Sequence, residues 1–282
     1  MTPLSGEDPA GGPLDRLRPR EPGTWRVLAL AYAMRRGLRG QHFLGHDDRA
    51  QEPHPTAYYV WVAVSDADVV LVDAGIAPAR AGSLPGLHYL GSPVELLAAI
   101  GVRPEQVGWC VLTHLHYDHT GVVAELPSAT YVVQQSEWEY WTGPWAERIT
   151  RERWLYSTDD LAHLARARGL GRFRAVSGDA ELLPGLSVHL VGGHTAGMQI
   201  VRLRTPAGHV VLASDASHFY ENLATDRPAP ILHSMPGVYA AFDRITALAD
   251  GADLIVPGHD PEVLERYPAV AARFSGRAVL IA

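Results

Sequence analysis

Between Thr113 and Gly121 the chain reads Thr-His-Leu-His-Tyr-Asp-His-Thr-Gly, directly after the apolar run 109–112. Three histidines and an aspartate within six residues restrict what can be built around them, because burying titratable groups so densely is costly without a partner that offsets their desolvation. The apolar run reads as a buried strand. In an extended segment side chains alternate, so His114 and His116 project the same way, as two ligands of one metal must. Asp118 and His119, at the start of a helix, turn toward a second position. Imidazole and carboxylate are the ligands that zinc takes where thiolate is absent. With Cys110 as the single cysteine, no multi-thiolate site exists.

Strands and helices alternate around this segment. Residues 57–64 and 69–72 are β-rich runs separated by Ser65-Asp66-Ala67-Asp68, a hairpin by composition. Ser92, Pro93 and Glu95 open a helix with a capping box. Residues 130–133 read as another strand, followed by a second capping box at Ser136 and Glu139. Residues 186–191, 198–203 and 209–213 read as consecutive strands, the last two joined by a turn at 205–208. Val238, Phe242, Ile245 and Leu248 recur at helical spacing up to Asp250-Gly251, and 254–256 is a short strand. The pattern predicts an α/β (α+β layered) fold with a hairpin-rich, mixed sheet. Residues 1–24, rich in proline, glycine and charge, read as a flexible tail without a signal-peptide core. Residues 25–282 read as one domain carrying an aromatic helical insertion at about 134–176.

An apolar strand followed by His-x-His-x-Asp-His resembles the signature of the metallo-β-lactamase superfamily, and the rest of that pattern occurs here in the family's order. Asp73-Ala74-Gly75 follows the run 69–72. Gly192-Gly193-His194-Thr195 supplies a histidine in a glycine-rich loop, Asp215 ends the run 209–213, and Pro257-Gly258-His259 follows the last short strand. The resemblance covers residues from about 57 to 260. It implies an αβ/βα sandwich, two central mixed sheets flanked by helices, with two divalent metal ions, zinc, in a cleft at one edge. His114, His116 and His194 would hold one metal, Asp118, His119 and His259 the other, and Asp215 both. Asp73 would support this set from behind, or else cap the turn after its strand. A hydroxide bridging the metals would attack a carbonyl polarised by one of them, with Asp118 taking part. No serine nucleophile motif is needed, and Gly-x-Ser-x-Gly is absent.

The segment from Ser214 to Asn222 resembles the branch of N-acyl-homoserine lactonases, which place a tyrosine three residues after the bridging aspartate. Here His218 stands at that position and the nearest tyrosine is Tyr220; both are candidate catalytic groups, His218 as a donor to an oxyanion or leaving alkoxide. Phe43 in a rim loop at about 38–55, Trp138 and Trp141 in the insertion, and Phe219 are candidate pocket residues, although the tryptophans serve equally well to pack the insertion onto the sandwich. The implied activity is hydrolysis of a lactone, an N-acyl-homoserine lactone or another neutral or apolar one. Thioester, β-lactam and phosphodiester hydrolases of the same superfamily are the alternatives, followed by a binding protein whose catalysis has decayed. Iron-dependent redox relatives usually carry a glutamate where His116 stands.

Composition narrows these options. All 24 basic residues are arginines, which excludes Schiff-base lysine chemistry and the P-loop. Against 31 acidic residues the net charge is −7, so the broad basic footprint of a nucleic-acid binder is missing. No apolar run reaches the ~20 residues that span a membrane. The expected partner is a small-molecule carbonyl substrate, with no nucleic acid, no membrane, and room for a homodimer. A lone cysteine fits a reducing compartment, the cytoplasm. The missing lysine points to a neutral substrate, and the 14 histidines exceed what these roles use.

Overall fold

The longest strand of the protein is one that its sequence hides. In the computed structural model, which describes residues 17–19 and 21–282, β1 (Arg26–Arg35) is buried at seven of ten positions. A strand covered on both faces loses the alternation that announces strands. Its Ala29 and Ala31 lie opposite Trp61 and Tyr59 of β2 (Thr56–Val64), small against large, so the layer fills without voids. From β2 the chain turns into β3 (Val69–Val72) across the expected hairpin, where Ser65 Oγ accepts from the amides of Ala67 and Asp68. β4 (Leu87–Tyr89) pairs with the far end of β1. β5 (Trp109–Val111), β6 (Thr130–Gln134) and β7 (Phe173–Val176) then add in parallel beyond β3.

The second sheet is built from β8 (Ala180–Leu183), β9 (Leu186–Leu190), β10 (Gln199–Thr205), β11 (Gly208–Ser214) and β12 (Ile255–Pro257), antiparallel except for the β11–β12 pair. β13 (Ala278–Leu280), another strand without a sequence signal, closes the first sheet beside β1. Val27, Trp61, Val70 and Val111 from the first sheet meet Val188, Val201, Val210 and Val256 from the second in one shared core. The outer face of the first sheet packs the helices Pro93–Ala99 and Thr158–Gly169. That of the second packs the helix Met235–Leu248 through Ala241 and through Ile245, which is on the expected stripe. The result is the expected αβ/βα sandwich with two mixed sheets.

Two local expectations change. The helix after β6 spans Gln135–Thr142, so Ser136 lies inside it and its buried Oγ has no partner; the capping box at Ser136 and Glu139 does not form. The stretch 134–176 is also not an appendage throughout, because β7 is an integral strand of the first sheet. The proposed tail lies largely outside the described residues, and its described end is tied down, with Arg204 donating to the carbonyls of Pro22 and Gly23. No helix among the described residues is long and apolar enough to cross a membrane.

The helix Tyr117–Thr120 ends against the loop after β3, where the Gly121 amide donates to the Gly75 carbonyl at 2.6 Å. A Cβ at Gly121 would stand 2.0 Å from the Ala77 nitrogen and 2.4 Å from the Ile76 carbonyl carbon, all backbone. Gly121→Ala should therefore cost about 4 kcal/mol or more, or prevent folding. Gly169→Ala, where the added methyl meets nothing within 4 Å, should stay within about 0.5 kcal/mol of the parent. Equal melting temperatures for the two variants would refute the close approach.

Candidate metal centre

Five loops at one edge of the sandwich bring the singled-out residues together, each just past a strand: Asp73 after β3, the histidine-rich segment after β5, His194 between β9 and β10, Asp215 after β11 and His259 after β12. The Asp215 carboxylate is at their centre. Its Oδ1 lies 3.4 Å from His119 Nε2 and 3.1 Å from His259 Nε2, and its Oδ2 lies 3.5 Å from His194 Nε2 and 2.9 Å from His218 Nε2. His114, His116 and His194 form one set of donor atoms within 4.8 Å of each other, and Asp118, His119 and His259 a second. Gly258 lets the last loop close in, since a Cβ there would stand 2.7 Å from Asp215 Oδ1.

The far side of four of the five rings is anchored. His194 Nδ1 bonds the Ile231 carbonyl, His259 Nδ1 the Ala57 carbonyl, His119 Nδ1 the Asp73 carboxylate and His114 Nδ1 the Thr113 hydroxyl, at 2.8 to 3.1 Å. An imidazole that donates from Nδ1 to a carbonyl or carboxylate presents a bare lone pair at Nε2, the tautomer a metal needs. His116 instead turns Nδ1 inward, 3.1 Å from His194 Nε2. The Nε2 atoms of His114 and His119 and Asp215 Oδ1 are buried without a hydrogen-bond partner. Buried polar atoms left unpaired are costly, and a pair of divalent cations would satisfy them. The donor set is all nitrogen and oxygen, which zinc accepts.

Burial and adjacent imidazoles pull His114 and His116 well below the ordinary histidine range, and burial takes His194 to about 3, so these rings are neutral at pH 7. For His119 and His259 burial acts in the same direction, but the neighbouring carboxylates together outweigh it and raise both: Asp215, Asp73 and Asp118 for His119, and Asp215 and Asp118 for His259. Burial opposes the charge on Asp215, and His259 and His119 nonetheless hold it well below the carboxylate range. The centre is a place that favours positive charge.

Asp73 faces the histidine-rich segment and the end of β11. It is fully buried, and its carboxylate accepts from the Thr113 amide at 2.7 Å, Thr113 Oγ1 at 2.9 Å, His119 Nδ1 at 2.8 Å and Ser214 Oγ at 3.1 Å. Sequence reasoning passed over Glu137. Its carboxylate, fully buried in the helix Gln135–Thr142, accepts from the Leu115 amide at 3.0 Å, Trp141 Nε1 at 2.7 Å and the Gly197 amide at 2.7 Å. It thus fastens the His114–His116 loop to the loop of His194. Burial raises its pKa against the pull of these donors. One acidic residue in an aromatic stretch carries no sequence signal for such a bridge. Tyr32, whose hydroxyl donates to the Asp118 carbonyl at 2.8 Å, was hidden with its strand.

A cavity of about 250 Å³ opens over the centre, with His116, Asp118, His194, Asp215, His218 and His259 among its lining. Phe219 lines it, but Phe43 stands behind, its ring 5.9 Å from Phe219 and covered by Arg39. Trp141 packs on His116 with ring centroids 5.5 Å apart, while Trp138 faces Phe173 and the sheet. The insertion reaches the cavity instead through Trp154 and Leu155. Tyr220 is not brought to the centre; its ring lies under the Arg266 guanidinium, 3.5 Å away.

Comparison with known proteins bears on the family and the fold. A sequence profile described as "Metallo-beta-lactamase superfamily" matches residues 53–259. The N-acyl homoserine lactonase AttM of Azorhizobium caulinodans is 29% identical over 173 residues, 60% of this chain and 64% of that protein. The N-acyl homoserine lactonase AiiA of Bacillus thuringiensis subsp. kurstaki is 27% identical over 167 residues, 59% of this chain and 57% of its own length. Both alignments span less than two thirds of the relative. Among solved structures, AidC, described as a dizinc quorum-quenching lactonase in complex with a product, superimposes with a TM-score of 0.68 at 15% identity, covering 86% of this chain and 89% of that one.

If Glu137 holds the two donor loops in register, Glu137→Gln should weaken zinc binding about 10- to 100-fold. It should also lower metal-free stability by about 1–3 kcal/mol, since an amide nitrogen then faces N–H donors. Titration with a competing chelator reads the first effect and thermal melting the second. Zinc affinity within twofold of the parent would reduce Glu137 to a packing residue.

Proposed function

Because the chain belongs to the metallo-beta-lactamase superfamily, we propose that it is a dinuclear-metal hydrolase that opens lactones, with zinc in both positions. The observation that carries this reading is Asp215, a buried carboxylate whose two oxygens face two separate three-residue donor sets beneath an open cavity. An N-acyl homoserine lactone, the compound class in the names of both relatives, is the first substrate to test. Two divalent cations bound there supply a hydroxide nucleophile near neutral pH and polarise a carbonyl oxygen.

The chain's own residues do the rest. Asp73, Glu137 and the carbonyls of Ile231 and Ala57 fix the orientation of the donor rings, so no reorganisation is needed during the reaction. Phe219, Leu155, Pro230 and Ile231 provide an apolar wall that excludes water from the scissile ester. His218 lines the cavity with Nε2 2.9 Å from Asp215 Oδ2. At that position, where the related branch places a tyrosine, it holds a proton at Nε2 and delivers it to the departing alkoxide. Asp118, at the cavity floor with its main chain held by Tyr32, accepts a proton from the nucleophile's side. Tyr220, turned under Arg266, is left out of this scheme.

Metal analysis beside a pH-drop assay over a lactone panel tests the proposal. Close to two metals per chain and ring opening abolished by chelation are expected, with a lower melting temperature after metal removal. His218→Ala should keep its metal and lose about 10²-fold in kcat. Fewer than one metal per chain under metal-replete conditions would overturn the dinuclear centre. Rapid thioester or phosphodiester hydrolysis without lactone turnover would reassign the substrate.

A further inference from the structure

The cavity over the centre has two unlike lips. One is apolar, formed by Trp154, Leu155, Pro230 and Ile231. The other is the end of β1 and the turn after it, where Arg35 and Arg36 line the opening with exposed side chains. Among the described residues that line the cavity, these two alone carry a permanent positive charge; its acidic members there, Asp118 and Asp215, lie in the donor sets at the floor. Among the described residues neither arginine has a carboxylate within ion-pair distance. The acidic groups of the adjoining rim, Asp47 and Glu221, are committed to Arg39 and Arg227.

Arg35 is also fixed with respect to the centre. It pairs in register with Thr56 at the start of β2, and its guanidinium sits against the Tyr58 hydroxyl. The Tyr58 ring in turn packs edge-on against His259, centroids 4.9 Å apart. A chain of contacts therefore runs from the exposed lip through the buried Tyr58 ring to a donor ring. A guanidinium presents a planar fork of donors that matches a carboxylate, and it is less strongly hydrated than an ammonium. In a chain of net charge −7, two such groups at the mouth of an apolar cavity make a local site for an anion.

We propose that the substrate is a lactone bearing a carboxylate remote from its scissile carbonyl, and that Arg35 and Arg36 select it by binding that carboxylate while its apolar body lies along Trp154, Leu155 and Ile231. The proposal rests on the lactonase reading for its chemistry and replaces the expectation of a neutral substrate. The absence of lysine excludes ammonium recognition of anions and says nothing of guanidinium recognition.

The test compares two lactones on the zinc-loaded protein: an N-acyl homoserine lactone with a plain alkyl chain, and one of equal chain length ending in a carboxylate. The parent should prefer the carboxylate compound in kcat/KM. In the double variant Arg35→Ala/Arg36→Ala the preference should fall about tenfold, through KM, and Arg35→Lys/Arg36→Lys should retain part of it. The preference should also shrink as salt is raised. No preference in the parent, or one that survives in the alanine variant, overturns the proposal. If neither lactone is opened, the lactonase reading fails and the lip is judged by calorimetry with the two ring-opened hydroxy acids. Tighter binding of the dicarboxylate, lost in the alanine variant, sustains the anion site; equal binding removes it.

Discussion

The carboxylate of Asp73 ties the two sheets together at the edge where the donors converge. It ends β3 in a left-handed conformation, φ 61°, that an aspartate tolerates better than most side chains. From there it takes donors from Thr113 after β5, from His119 beyond it, and from Ser214 at the end of β11 in the other sheet. Ser214 is itself left-handed, φ 45°. Strain of this kind persists only where the surroundings over-determine it, and here four hydrogen bonds to one buried charge do so. It acts beside other polar ties between the sheets at this edge, among them Gln199 donating to the Leu112 and Thr113 carbonyls and His259 Nδ1 to the Ala57 carbonyl.

Desolvation makes the arrangement useful. Rings buried among other rings are neutral, and a buried carboxylate at their centre demands positive charge. Neither tendency is satisfied within the protein, as the unpartnered Nε2 atoms of His114 and His119 show. Protein donors and acceptors meanwhile saturate the outward nitrogen of four of the five rings. Rigid anchoring outside and unmet valence inside are the two conditions for a preorganised ion site.

The ligand segments were legible because metal chemistry needs particular residue types at strand ends, and apolar packing does not call for a run such as His114 to His119. β2, β3, β10 and β11 were legible because β-rich runs were punctuated by turn residues at 65–68 and 205–208. β1 was not, since Ala29, Ala31 and Ala33 beside Leu28 and Leu30 give neither alternation nor β-propensity; its strand state is imposed by pairing with β2. Glu137 and Tyr32 act through tertiary contacts that no local pattern encodes. Tyr220 looked close to the centre by sequence count, but the short helix Tyr220–Ala224 turns its ring to the outside. Five of the eight histidines without an assigned role have local partners: His189 and His209 pair with Asp179 and Asp250, His163 packs on Tyr131, and His42 and His54 stack around Phe219.

Net charge is a property of the whole surface, and recognition is decided within a few ångströms. Several of the acidic groups are paired with arginine, as at Asp47, Glu221, Glu52 and Glu262. At ~0.15 M salt the Debye length of about 8 Å screens out distant charges. The field at the cavity mouth is then set by Arg35 and Arg36, with the floor carboxylates matched to the cations that the donor sets call for. An acidic protein that lacks lysine can therefore present an anion-selective entrance. Which arginines lack carboxylate partners, rather than how many basic residues there are, decides what the entrance admits.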